Sequence, residues 1–285
     1  MSLKPSSLSF LCCRSPYEES NVVILGCPLD LTASFRPGYR FAPNAIREAS
    51  WNLESYSPLW ERDLEEEKIC DLGDLELAGT VREALGQIEE AVRELIGDGK
   101  RPLLLGGEHL ITLGAVKALK GRYVDLVVLQ VDAHGDLREE YLGAELSHAT
   151  VMRRVWEEVG ADSLLQVGVR SWDRTEAQWA REAGTFLGEG PEVTLPAELK
   201  ERPLYLTLDL DVLDPGICPG VGSPEPGGWN FKDLMAFLSR LPADRLVGAD
   251  VVELSPPFDP MGGSAMVAAK AARELLLQLC KKFDI

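Results

Sequence analysis

The sequence predicts an α/β fold, a three-layer αβα arrangement with a mainly parallel sheet, and three observations carry that expectation. Apolar runs of strand length alternate with segments of helical periodicity along most of the chain. Runs such as VVILG and LVVLQV are nearly continuous rather than alternating, as strands buried on both faces should be. Side chains suited to acid–base or metal chemistry stand at the ends of several of these runs, where open parallel sheets bind ligands.

In chain order, residues 1–20 read as an irregular lead-in or strand edge rich in Ser and Pro. VVILGC (22–27) is the first buried strand. It opens into a loop marked by Pro37, Gly38 and Pro43, followed by a helix over 44–50 with proline at its start. Arg36, Arg40 and Arg47 read as loop-bracing cations, because one guanidinium satisfies several acceptors. After KICDLGDLEL (68–77) comes a helix over 81–96. PLLLGG (102–107) is a strand that ends on Gly106 and Gly107 and hands over to Glu108 and His109, and ITLGAVKALK (111–120) is a helix. The alternation continues with DLVVLQV (125–131), a helix over 149–159, LLQVGV (164–169), a helix over 173–183, LYLTLDL (204–210), a helix over 231–241, LVGADVVEL (246–254) and a closing helix over 263–281. No repeat or composition break divides the chain, so one domain over 1–285 is expected.

Hydrophobic residues make up 45% of the chain, ample for a large core. A formal charge of −17 argues against nucleic acid, whose binding rests on Lys and Arg, and tolerates a cationic substrate. No apolar run approaches a membrane span, and the N-terminal patch is too short for a convincing signal peptide. Cys12, Cys13, Cys27, Cys70, Cys218 and Cys280 are scattered without a CxxC pair, which suits a reduced, cytoplasmic protein.

The densest chemistry lies in DAHGD (132–136), at the end of a predicted strand. Asp132, His134 and Asp136 are spaced by two, so in extended backbone they project to one side and can converge. Such a group in apolar surroundings needs a positive counter-charge, and a bound cation supplies one. The plainer reading is a polar turn with an aspartate capping the next helix. All three histidines, His109, His134 and His148, fall at strand ends or in the loops after them. TLDLDVLDPG (207–216) adds Asp209 and Asp211 at period two, and Glu253 closes the last strand. The set His109, Asp132, His134, Asp136, Asp209 and Asp211 is too rich in oxygen for a structural zinc site. It suits two divalent ions with mixed nitrogen and oxygen ligands, Mn²⁺ being a natural candidate.

Taken together, GGEH (106–109), DAHGD (132–136), SHAT (147–150), TLDLDVLDPGICPG (207–220), GSPEPGG (222–228), ADVVELSPP (249–257) and the N-terminal SFRPGYRFAPNAIREAS (34–50) resemble the ureohydrolases, the arginase and agmatinase family of binuclear manganese hydrolases. The similarity covers nearly the whole chain and is closest to agmatinases. It implies an arginase-like fold with two Mn²⁺ at the carboxyl ends of the strands, Asp132 and Asp209 bridging them, His109 and Asp136 completing one site, and His134 and Asp211 the other. It further implies that Glu253 holds the guanidinium, that His148 transfers protons, and that the chain forms a homo-oligomer, trimer or hexamer. Leu110, Thr207 and Ser223 are mild departures that remove no ligand, and Arg170 and Asp214 take structural or supporting roles.

The implied activity is hydrolysis of a C–N bond in a linear amidine. A guanidinium resists water, and paired cations would supply a bridging hydroxide to attack it. Asp136 would orient that nucleophile, and His148 would protonate the departing amine. The linker LREEYLGAELSHAT (137–150) is short and acidic. Glu139, Glu140 and Glu145 would repel a carboxylate and welcome a distal ammonium, with Glu140 and Glu145 as substrate contacts; the plainer reading of each is a solvated face, and Arg138 in the same loop could meet an anion. Agmatine, cleaved to urea and putrescine in polyamine synthesis, is therefore the expected substrate. N1-aminopropylagmatine is the nearest alternative, then arginine or guanidinobutyrate, and a non-catalytic, metal-stabilised scaffold is the competing class. Cys218 reads as inert, Trp172 and Phe258 as packing residues, and Trp229 as packing or pocket-lining.

Overall fold

A computed structural model describes residues 1–4 and 8–281. The strands are β1 (Leu3–Lys4), β2 (Val22–Gly26), β3 (Tyr56–Ser57), β4 (Arg62–Asp63), β5 (Ile69–Leu75), β6 (Arg101–Leu105), β7 (Val127–Val131), β8 (Leu164–Val167), β9 (Phe186–Gly188), β10 (Leu204–Asp209) and β11 (Leu246–Val252). The helices are α1 (Ala42–Ser50), α2 (Val81–Gly97), α3 (Ile111–Lys120), α4 (Val151–Val159), α5 (Arg174–Ala183), α6 (Phe231–Leu238) and α7 (Gly263–Leu279). A 9-stranded sheet runs in the order β1-β5-β2-β6-β11-β10-β7-β8-β9, with β3 and β4 forming a separate small hairpin. Only the edge strand β1 is antiparallel within the large sheet.

The near-continuous apolar strands divide their side chains by the two-residue period of extended backbone. On β10, Leu204, Leu206 and Leu208 enter the core beneath α1, α6 and α7, whereas Tyr205 faces the opposite core with α2, α3, α4 and α5. Strands β2, β6 and β7 alternate in the same way. The result is the three-layer αβα arrangement expected from the sequence. Helix starts follow local chemistry: Thr80 and Glu83 form a capping box at α2, and Asp173 accepts the Thr175 and Glu176 amides at α5.

Boundaries differ modestly from the sequence expectations. The helix expected over 149–159 begins as a 3-10 turn, His148–Thr150, before α4. The helices expected to reach 241 and 281 end at Leu238 and Leu279. Strand β5, inside KICDLGDLEL, was not anticipated. Its Asp71 and Asp74 are paired by fully buried Arg47 of α1, with Arg47 Nε 2.8 Å from Asp71 Oδ2 and Nη1 2.5 Å from Asp74 Oδ1. The lead-in supplies β1 as a strand edge, while residues 5–7 lie outside the described set.

Candidate active site

Four neighbouring strands at the middle of the sheet, β6, β11, β10 and β7, open onto one rim and deliver the chemically active side chains. His109 follows β6, Asp132, His134 and Asp136 follow β7, Asp209 and Asp211 close β10, and Glu253 follows β11. The chain turns sharply to do this. A Cβ on Gly107, where φ is 139°, would lie 2.4 Å from the Cys27 carbonyl oxygen, so only glycine fits there. Asp136 and Glu253 hold left-handed φ values of 52° and 68°, as Cys12, Glu61, Leu142 and Asp162 do in turns elsewhere. Glu253 is held by its amide on the Gly107 carbonyl at 3.0 Å, and its Oε1 accepts the His109 amide at 2.7 Å.

The ligand-type atoms converge in two groups. His109 Nδ1 lies 3.1 Å from Asp132 Oδ2, 3.1 Å from Asp136 Oδ2 and 3.3 Å from Asp209 Oδ2. His134 Nδ1 lies 2.8 Å from Asp211 Oδ2 and 3.7 Å from Asp132 Oδ1. Two triads, His109 with Asp132 and Asp136, and Asp132 with His134 and Asp211, each close to within 4.8 Å and share Asp132. Asp209 stands beside the first, with its Oδ1 taken up by the Asp211 amide at 2.9 Å.

These residues fit divalent cations. His109 Nδ1 is buried with no carboxylate aligned to accept a hydrogen from it, while its Nε2 sits 2.9 Å from Thr207 Oγ1. A ring so placed directs Nδ1 at three oxygens as a lone-pair donor, and its other nitrogen is fixed by a hydroxyl. The carboxylates carry more negative charge than two imidazoles balance. Burial and the nearby Asp132 charge push the Asp136 carboxyl up to about 7. Burial, then Asp211 and Asp132, push Asp209 well above the carboxylate range. Asp132 goes the other way: burial opposes its ionisation, but the close approach of His109 and His134 in the cation-free site holds it far below the usual range. Supporting groups fix the acids: Gln130 Nε2 donates to Asp132 Oδ2 at 2.6 Å, and the amides of His134 and Ala133 donate to Asp132 Oδ1 and Asp211 Oδ1 at 2.6 and 3.1 Å.

A cavity of about 280 Å³ opens above these groups, and Glu253 and His148 line it. Burial pushes the Glu253 carboxyl up to about 8. Burial and the two other histidines bring the His148 imidazole down to about 4.

The acidic linker is placed differently from expectation. Glu139, Glu140 and Glu145 are exposed, and none lines the cavity; Glu139 and Glu140 border an adjoining depression. The wall instead carries Asp173 and Glu176 from the start of α5, with Arg138 and Tyr141. Arg138 Nε lies 3.7 Å from Asp173 and 3.5 Å from Glu176, and its guanidinium rests 4.8 Å from the Tyr141 ring centre.

Other singled-out residues hold the frame. Arg170 donates to the carbonyls of Asp211, Val212 and Glu225, and Asp214 accepts the Gly216 and Gly227 amides. Arg40 pairs with Asp30, and Arg36 reaches the Pro219 carbonyl. Cys218 is buried, its thiol pushed up to about 12 by burial. Trp172 packs on Phe186 and fills the space above Gly135; Trp229 is buried against Phe237 and donates to the Glu189 carbonyl rather than facing the cavity. Phe258 is 40% exposed under Arg36.

The model of the arginase family matches residues 20–278. The chain belongs to the arginase family. An agmatinase of Halalkalibacterium halodurans is 42% identical over 276 residues, covering 94% of this chain and 95% of that protein. The solved agmatine ureohydrolase of Thermoplasma volcanium superposes with a TM-score of 0.85 at 35% identity, covering 96% of this chain and 97% of that one. Proclavaminate amidino hydrolase from Streptomyces clavuligerus matches with a TM-score of 0.84 at 27% identity over 97% and 98% of the two chains.

Within this family frame, sequence reasoning passed over Gln130, Asp173 and Glu176. Gln130 precedes Asp132 by the strand period, a usable signal. Asp173 and Glu176 form a helix-capping box, which hides their second position on the cavity wall.

Proposed function

We propose that this arginase-family hydrolase cleaves the guanidino group of agmatine to urea and putrescine. The observation that carries the substrate choice is the cavity wall: Asp173 and Glu176 oppose a single cation, Arg138, which favours an ammonium end over a carboxylate.

In this reading His109, Asp132, Asp136, Asp209, His134 and Asp211 would hold two divalent ions, for which Mn²⁺ suits the mixed donor set. When bound, such ions would lower the pKa of water and so supply a hydroxide nucleophile near neutral pH. Glu253, anchored through the His109 amide, faces the guanidinium and fixes its carbon by a charge-assisted contact. An approaching cation reverses the balance that holds Glu253 protonated, so substrate arrival ionises it. Asp136 accepts a proton from the attacking water. The oxygen adds to the guanidinium carbon, Asp136 returns that proton to the leaving nitrogen as the C–N bond breaks, and His148, uncharged on the cavity wall, relays a further proton between solvent and the departing amine through its Nε2. The free, largely buried cysteines suit a reducing, cytoplasmic setting.

Urea release by the manganese-loaded protein tests the proposal across agmatine, N1-aminopropylagmatine, arginine and 4-guanidinobutyrate. Agmatine should give the highest kcat/KM. Preference for the aminopropyl compound would move the substrate to a longer amine, and two bound metals with no urea from any compound would reject the activity.

A further inference from the structure

Glu108 is a buried acid to which the reaction above gives no task. It is fully buried beside His109, and its carboxylate is bonded to the loop after β2. Oε2 accepts the amides of Leu31 and Thr32 at 2.9 and 2.8 Å, and Oε1 accepts the Thr32 hydroxyl at 2.9 Å. All three contacts come from donor groups, which a carboxylate meets by accepting. The same Thr32 oxygen lies 3.1 Å from the His148 amide nitrogen and 3.2 Å from His148 Nδ1.

A threonine hydroxyl has one proton to give and two lone pairs to offer. The proton goes to Glu108, and the His148 amide takes one lone pair. What remains at Nδ1 is an N–H donating to the other. We propose that Glu108, acting through Thr32, is a positioning residue that holds His148 as its Nδ1–H tautomer and leaves Nε2, the nitrogen 3.4 Å from Ser34 Oγ on the cavity wall, as the proton-exchanging atom. The tautomer stands independently of which guanidine is cleaved; its effect on turnover rests on the role of His148 proposed above.

Glu108→Gln makes a specific demand. Two amides at the Oε2 position require the carbonyl oxygen there, so the new NH2 faces Thr32. The Thr32 hydroxyl, now accepting from that NH2 and from the His148 amide, must send its proton to Nδ1, and the imidazole inverts to Nε2–H. Nitrogen-15 NMR of histidine-labelled full-length protein at neutral pH, metal-free and loaded with diamagnetic Cd²⁺, reads this directly, because only three histidines contribute. The wild type should show a protonated, pyrrole-type Nδ1 and an unprotonated, pyridine-type Nε2 for His148, and Glu108→Gln should exchange the two signatures. Its kcat on the manganese-loaded enzyme should fall by roughly 100-fold, within the range that positioned proton transfer contributes. If Glu108→Gln fails to fold, Thr32→Val should lose the Nδ1–H preference while Thr32→Ser retains it. A wild-type Nε2–H signature, unchanged nitrogen shifts in Glu108→Gln, or wild-type shifts in Thr32→Val would each overturn the proposal.

Discussion

At the scale of single residues, the site is a set of acids whose charges need a partner. Glu253→Gln keeps the bond to the His109 amide and removes the charge that meets the guanidinium. Losing one side of a desolvated charge pair costs about 2–5 kcal/mol, so KM for agmatine should rise by roughly 30-fold or more while metal content stays that of the wild type. Loss of metal with an unchanged KM would assign Glu253 to the metal site instead. A second expectation concerns pH. Without cations, the folded chain holds protons on Asp136 and Glu253 that an unfolded carboxyl has released. It also keeps His134 protonated, because Asp211 and Asp132 overcome the opposing effect of burial. His148, held down to about 4, opposes this below about pH 6.5, but the raised carboxyls outnumber it, so the folded state binds more protons than the unfolded one and metal-free stability should decline as pH rises from about 5 to about 9, most steeply above about 6.5. Asp132, held low, contributes evenly across that window. Cations displace these protons, so the rise in Tm on adding Mn²⁺ should be larger at about pH 8.5 than at about pH 6, measured by thermal denaturation against a chelated control. A shift independent of pH would mean that the ion binds elsewhere.

At the scale of elements, legibility followed where the pairing partner lies. The β7 and β10 ends could be read because their acids repeat at the strand period, so DAHGD and LDLD carry their own geometry. Strand β5 could not, because ICDLGDL looks polar until Arg47, more than twenty residues earlier, neutralises Asp71 and Asp74. The linker was ambiguous for a related reason: charge on a segment does not say which way it faces, and Glu140 and Glu145 are exposed off the cavity while the capping acids of α5 line it. Arg47→Met should leave both β5 acids uncompensated and cost about 3–5 kcal/mol of stability, read as a lower denaturation midpoint. A change within about 0.5 kcal/mol, the scale of a surface substitution, would show that α1 is not tied to the sheet through this pair.

At the scale of the whole molecule, one parallel sheet gathers side chains from four strands onto one rim, and the rest of the chain serves that convergence. The glycines after β6, the left-handed Asp136 and Glu253, and the Arg170 fork on the β10 loop are each local departures from regular backbone or pairing, and each lies at the site. The resemblance to ureohydrolases implies a homo-oligomer, and Leu31, Phe35 and Phe41 are more than half exposed. Light scattering on the eluting protein should return a trimer or hexamer, and a monomer would remove that expectation. The central claim, a cationic guanidine selected by the charge of the cavity wall, is tested most directly by the ratio of kcat/KM for agmatine to that for 4-guanidinobutyrate. The two compounds share the reacting group and differ in the sign of the charge at the far end. We expect a ratio of roughly 100 or more, because a like charge placed against Asp173 and Glu176 costs several kcal/mol. A ratio near one or below would contradict the claim and assign the wall to another ligand.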